Sequence, residues 1–194
     1  MRIVGGKSGG RILKAPKGLD VRPTPDLVKQ AVFNSLGARV EGAEVLELFG
    51  GSGALSLEAL SRAARTAVIV EKSNRTARMI RANFESLGLA AGQLELRVQD
   101  AFTALAQLAH SSKRFDLLFA DPPYGEKNLG KRSESFAQKL LDDPNLPKLL
   151  KAQGLLILGH SKRDTLDIPP DWVERKQLKH GDSMMRFLEA RLPW

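Results

Sequence analysis

At 194 residues, 42% hydrophobic and 27% charged, the chain can bury the core of one globular domain but is too short for two large ones. No apolar run approaches the roughly 20 residues that cross a bilayer, and residues 1–10 lack the apolar centre of an export signal, so no membrane association is expected. Cysteine is absent, which excludes disulfides, thiolate-bound zinc and iron–sulfur clusters and leads to the expectation of a cytoplasmic protein.

The net charge of +8 is concentrated at the start. Residues 1–40 carry Arg2, Lys7, Arg11, Lys14, Lys17, Arg22, Lys29 and Arg39 against only Asp20 and Asp26. Such a run suits a polyanion and equally suits a solvated face. Arg2-Ile-Val and Arg11-Ile-Leu flank Gly5-Gly6-Lys7-Ser8-Gly9-Gly10, which predicts a small hairpin with a flexible tip. Arg22-Pro23-Thr24-Pro25 is extended, because each proline biases the preceding residue away from helix. A helix is predicted from Thr24 or Pro25, with Leu27, Val28, Ala31, Val32 and Leu36 as its apolar face.

Beyond Gly42 the chain alternates. Strands are predicted at Glu44–Leu48, Thr66–Glu71, Gln93–Val98, Phe115–Ala120 and Gly154–Leu158, with helices at Ala54–Ala64, Arg75–Leu87, Ala101–Ala109 and Ser133–Leu150 between them. This is an α/β pattern with a mostly parallel sheet covered on both faces. Trp172–Lys179 and Ser183–Leu192, separated by His180-Gly181-Asp182, predict an antiparallel C-terminal hairpin that brings the sheet to seven strands. There is no internal repeat. Residues 1–41 are expected to be a basic hairpin and helix within the same domain as the α/β body, residues 42–194.

The turn after the first strand, Glu47-Leu48-Phe49-Gly50-Gly51-Ser52-Gly53, is glycine-rich, so its backbone can approach a ligand closely. Ser56 stands where a dinucleotide fingerprint needs its third glycine. Glu47 would repel a pyrophosphate but suits a ligand with a positive amino group, such as S-adenosylmethionine. Glu71, ending the second strand, can accept both hydroxyls of a ribose, and Asp100, ending the third, can accept from an adenine amino group. Each acid has a plainer alternative as a helix cap or first-turn charge. Together they mark the sheet edge where ligands of open α/β folds bind.

The fourth strand runs into Asp121-Pro122-Pro123-Tyr124. The prolines end the strand stiffly and leave a carboxylate, the Pro122 carbonyl and an aromatic ring at that same edge. An exocyclic amine on a base has two N–H donors. Accepting them at Asp121 and the Pro122 carbonyl orients the nitrogen, and Tyr124, the only tyrosine of the chain, can stack on an unstacked base. A plain Asp-Pro-Pro turn is the alternative.

With these pieces in place, the sequence resembles the RsmD-type small-subunit ribosomal RNA guanine-N2 methyltransferases over nearly its full length. The resemblance rests on MRIVGGKSGGRILKAPKG, RPTPDLVKQAVFNSL, ELFGGSGALSLEALSR, VIVEKS, DPPY and HGDSMMRFLEA. It implies a Rossmann-like methyltransferase fold, S-adenosylmethionine as methyl donor and N2-methylguanine in 16S ribosomal RNA as product, with the RNA free, in a small ribosomal subunit or in an assembly intermediate. It implies cofactor binding by Glu47, Gly51, Gly53, Glu71, Asp100 and Ala101, catalysis by Asp121, Pro122 and Tyr124, and no metal. Arg22 and Thr24 fall on a segment that lines the active-site rim, and with Lys7, Arg11, Lys14 and Lys17 they are the expected RNA contacts. Three departures stand out: Glu47 where Asp is usual, Gly50 where Ala is commoner, and Ala63-Ala64 in place of Gly-Ala.

His110, His160 and His180 are too scattered for a metal site and are expected to be isolated loop residues, and Ser52, Ser56 and Ser61 have no paired histidine for nucleophilic chemistry. Trp172 and Trp194 are expected to pack rather than stack on bases. Lys127, Lys131 and Arg132 are equally a solvated loop or an RNA contact. A DNA adenine-N6 or cytosine-N4 methyltransferase shares the glycine turn and DPPY, although such enzymes commonly carry a target-recognition domain for which this chain has no room. A non-catalytic RNA-binding assembly factor and a nicotinamide oxidoreductase are the remaining alternatives.

Overall fold

The structure is a computed structural model that describes residues 1–15, 24–124 and 132–191. Seven strands form one sheet: β1 (Glu44–Leu48), β2 (Thr66–Glu71), β3 (Leu94–Val98), β4 (Phe115–Ala120), β5 (Leu150–Ser161), β6 (Trp172–His180) and β7 (Ser183–Ala190). The order is β3-β2-β1-β4-β5-β7-β6, parallel through β5 and antiparallel for the last two strands. The helices are α1 (Asp26–Leu36), α2 (Ala54–Ser61), α3 (Asn74–Ser86), α4 (Ala101–Ala109) and α5 (Phe136–Asp142).

Alternation along the central strands divides the core in two. Val45, Leu117, Phe119 and Ile157 face one cluster with α1 and α2, whereas Leu46, Leu48, Leu118 and Leu156 face another with α4 and α5. Strands covered on both sides read as continuous apolar runs, and β1, β2 and β4 have the predicted bounds.

Differences cluster in three places. The predicted helix at Ser133–Leu150 is α5 and, past the interruption at Pro144, a single 3-10 turn at Pro147–Leu149, and β5 begins at Leu150. In α1, Pro25 is extended at the N-cap, Leu27 is 63% exposed, and Lys29 is buried in place of the expected apolar contact. The Lys29 amine donates to the Arg2 carbonyl and pairs with Asp26 at 3.1 Å, which satisfies a charge that would otherwise be prohibitive there.

The third difference is the lead itself. Among its described residues it has a single bridge, Arg2 to Ile12, and its glycine tip is docked on α2. Ser61 Oγ donates to the Gly5 carbonyl (2.7 Å) and accepts from Ser8 N (3.0 Å), while its own carbonyl accepts from Lys7 N (2.8 Å). The fully buried Glu58 accepts from Val4 N at 2.7 Å and from Arg62 Nε at 2.7 Å. At Lys14, Asn83 Oδ1 accepts the amide (2.8 Å), and Asn83 Nδ2 donates both to the Lys14 carbonyl (2.9 Å) and to the Ser52 carbonyl (3.1 Å). One buried side chain thus joins the lead, α3 and the glycine turn.

Candidate active site

The strand order reverses between β1 and β4, the crevice where open α/β sheets bind ligands. Glu47 near the end of β1 and Asp121 just past β4 both lie at this crevice. The turn after β1 is held tightly: Gly50 N donates to the Val70 carbonyl at 2.8 Å, and Gly53 N to the Gly50 carbonyl at 2.6 Å. A Cβ at Gly50 would overlap the Ile69 side chain, so the alanine common at this place in the resembling family would force Ile69 to move. Phe49 has φ 59°, an unfavourable conformation for a bulky residue, which the surrounding turn holds in place. Ala63 also has a positive φ of 69°, so its substitution for glycine carries backbone strain.

Glu47 is 4% exposed and accepts from Ser56 N at 2.9 Å. Burial pushes its carboxyl up to about 7; hydrogen bonds from Ser56 and Leu55 oppose the rise and the charge of Asp121 adds to it. Glu71 has one oxygen on Gly51 N (2.9 Å) and the other on Ser73 N (2.8 Å), which leaves each oxygen a further lone-pair direction. Asp100 takes the plainer alternative in part: Oδ1 caps α4 by accepting from Phe102 N (3.0 Å) and Thr103 N (3.3 Å). Its Oδ2 lies 3.8 Å from Lys72 Nζ. Ala101 is buried as the first residue of α4.

Thr24 lies at the site, as the expected rim position implies. Its hydroxyl donates to Asp121 Oδ2 at 2.8 Å. Asp121 Oδ1 lies against the backbone of Gly159 in β5, where a Cβ would overlap it. Burial raises the Asp121 carboxyl above the ordinary range and the Thr24 hydroxyl holds it lower. Pro122 is buried, and Tyr124 is 39% exposed with its hydroxyl donating to Ser183 Oγ at 3.0 Å. The contributions of Gly159, Asn83 and Ser183 were not expected, and Thr24 was expected at the rim but not as a partner of Asp121. A glycine inside the apolar run Leu155–His160 was the available sign of a close approach.

Phe49, Phe102 and Phe136 gather beside the turn with ring centroids 5.8–6.2 Å apart. Lys7, Arg11 and Lys14 are exposed, while Lys17, Arg22, Lys127, Lys131 and Trp194 lie outside the described residues. Arg132 is held by Asp142 through two hydrogen bonds of 2.7 and 2.8 Å. His160 is not a loop residue: it is buried in β5 and accepts from Arg186 Nε at 2.9 Å. Trp172 is buried and donates to the Leu141 carbonyl at 3.2 Å. A concavity of about 580 Å³ beside α5 is lined by Arg132, Asp142 and Asp167 with four prolines, and none of the strand-end acids reaches it. Chemistry, not volume, marks the crevice.

The family model described as Conserved hypothetical protein 95 matches residues 1–189. The chain belongs to this family. Within it, the chain is 32% identical to ribosomal RNA small subunit methyltransferase D of Haemophilus influenzae, over 93% of this chain and 89% of that protein. It is 36% identical to the Escherichia coli K12 protein of the same name over 64% of this chain and 60% of that one. A hypothetical protein of Thermus thermophilus has the same fold, with a TM-score of 0.77, 29% identity and coverage of 98% and 99% of the two chains. The sheet of this chain, mostly parallel with an antiparallel C-terminal end, is the Rossmann-like methyltransferase architecture expected from the sequence.

Proposed function

We propose that this chain transfers a methyl group from S-adenosylmethionine to the exocyclic N2 amine of a guanine in small-subunit ribosomal RNA. The observation that carries the reading is Asp121 at the reversal point of the sheet, its two carboxylate oxygens seated on Thr24 and Gly159. Membership of a family that contains ribosomal RNA methyltransferases supports the substrate class.

The crevice residues fit the cofactor. A desolvated acid such as Glu47 is stabilised by an ammonium group, and Glu71 retains acceptor capacity for ribose hydroxyls. When bound, S-adenosylmethionine supplies an electrophilic methyl group. The chain does the rest: Asp121 and the Pro122 carbonyl accept the two N–H bonds of the target amine, which aims its lone pair toward the cofactor side. The Asp121 charge then favours the ammonium that develops on nitrogen as the sulfur–methyl bond breaks, and that ammonium gives up one proton, to the Asp121 carboxylate or to water, to leave the neutral methylated amine. Tyr124, steadied by Ser183, stacks on the unstacked base.

Transfer of labelled methyl groups to free 16S rRNA, small ribosomal subunits and DNA, followed by nucleoside digestion, is expected to give N2-methylguanosine from the RNA samples alone. Label confined to DNA, or at another position of the base, overturns the reading.

Glu47 gives a second expected result. An ammonium beside it drives ionisation, so cofactor binding near pH 6 releases up to one proton, and affinity rises with pH until about 7. For folding the sign is opposite: a carboxyl raised from 4.5 to about 7 makes the unliganded protein lose stability as pH climbs through that window. Calorimetry in buffers of different ionisation enthalpy measures the release; Glu47→Gln abolishes it. No release from the unaltered protein refutes the assignment.

A further inference from the structure

We infer that Ser161 at the end of β5 and Ser183 at the start of β7 read the keto oxygen O6 of the target guanine, and so help to set which base the crevice accepts. The inference rests on the proposed reaction and names the groups of this chain that select its substrate.

Sheet register puts both serines on the face that holds Asp121. Ile157 and Phe187 belong to the core cluster with α1 and α2, whereas Leu156 and Leu188 belong to the other. Side chains alternate along a strand, so Gly159 and Ser161 of β5, and Met185 and Ser183 of β7, continue the first face. Gly159 confirms the direction, since a Cβ built there meets Asp121 Oδ1 and the Met185 sulfur. Ser161 and Ser183 are register partners, which brings their Cβ atoms to about 5 Å of each other. They stand two residues along the strands, about 6.6 Å, from the glycine that seats the carboxylate.

Each hydroxyl has a proton to give. Ser183 Oγ accepts from the Tyr124 hydroxyl at 3.0 Å, and Ser161 Oγ accepts from Arg163 N at 3.2 Å. Among the described residues neither hydroxyl donates in turn. Thr24 is unsuited to the task, because its proton is already on Asp121 Oδ2. The pair is held in place: Lys162 N donates to the Asp182 carbonyl at 2.7 Å and Asp164 N to the Ser161 carbonyl at 2.9 Å, which ties the turn after β5 to the tip between β6 and β7.

On guanine the N2 amine and O6 lie on one edge, with N1–H between them. With the amine on Asp121 and the Pro122 carbonyl, the far end of that edge presents an acceptor with two lone pairs, one for each serine proton. Adenine held by its N6 amine presents a C–H at the far end and leaves both hydroxyls unpaired, which disfavours it. Cytosine held by its N4 amine presents a keto oxygen there, so the serines separate guanine from adenine and not from cytosine.

The test uses a 16S rRNA fragment carrying the guanine that the unaltered protein methylates, and the same fragment with 2-aminopurine at that position. The analogue keeps the N2 amine and lacks O6. The ratio of kcat/KM for the two RNAs is measured for the unaltered protein, Ser161→Ala, Ser183→Ala, Ser161→Thr and Ser183→Thr. The unaltered protein is expected to prefer guanine, each alanine substitution to lower the preference roughly fivefold, and the threonine substitutions to keep it. The analogue also lacks N1–H, but that loss is common to every protein and cancels in the comparison. Weaker support of Tyr124 in Ser183→Ala slows both RNAs and cancels likewise. A preference unmoved by both alanine substitutions, one that falls equally with threonine, or no preference in the unaltered protein overturns the inference, whatever happens to overall turnover. If the unaltered protein methylates no guanine in the RNA, the proposed function is overturned instead.

Discussion

Asp121→Ala is expected to reduce methyl transfer by a factor on the order of 10²–10³ or more, with cofactor affinity changed only a few-fold. The carboxylate is seated by Thr24 and Gly159, while Glu47 and Glu71 face the glycine turn, so the two functions are separable. Asp121→Asn is also severely impaired, because an amide keeps one acceptor but loses the charge that favours a developing ammonium. Thr24→Val sharpens the test. Removing that hydroxyl takes away the hydrogen bond that holds the Asp121 pKa down, so the carboxyl rises further. Since the reaction needs the ionised form, the acidic limb of the kcat/KM profile moves to higher pH while the alkaline plateau is retained; Thr24→Ser restores it. Near-normal turnover of Asp121→Ala, or an unmoved limb in Thr24→Val, removes Asp121 from the role assigned to it.

A large loss of stability is expected from Asn83→Leu. The side chain is 2% exposed and holds three backbone groups, Lys14 N, Lys14 O and Ser52 O. A buried polar group left without a partner costs about 1–3 kcal/mol, and relaxation at the surface side of Lys14 reduces the sum, so a loss of roughly 3 kcal/mol is expected. In a domain of this size that lowers Tm by about 6–12 °C. S-adenosylmethionine affinity falls with it, because the Ser52 carbonyl belongs to the glycine turn. A stability change within about 0.5 kcal/mol, by thermal and denaturant unfolding, contradicts the clamp.

The strands were legible because parallel strands buried on both faces are short unbroken apolar runs, as Val68-Ile69-Val70 and Leu117-Leu118-Phe119 are. The position of the acids was legible for a related reason: the end of such a run marks the sheet edge, and Glu47, Glu71, Asp100 and Asp121 stand there. What local pattern concealed is long-range. Gly5 and Gly6 look like a flexible tip, yet the absence of side chains there is what lets the backbone lie on Ser61 and Arg62. Lys29 reads as solvent-facing, because nothing near it in sequence announces that the Arg2 carbonyl will meet its amine. Thr24 could be placed at the rim but not on Asp121, and Asn83 reads as a weak helix former until its three partners are seen.

The anchoring of the lead also sets an order of events during synthesis. Val4 waits for Glu58, 54 residues later; Lys14 waits for Asn83, 69 residues later; and Thr24 waits for Asp121, 97 residues later. The lead therefore stays without these contacts until Glu58, Asn83 and Asp121 have been made, since each of these loops must close before its contact exists. A nascent chain stopped short of β4 has its glycine turn and its basic lead but no seat for the Thr24 hydroxyl. Asp121 and the threonine that holds it come together only once synthesis has passed the end of β4.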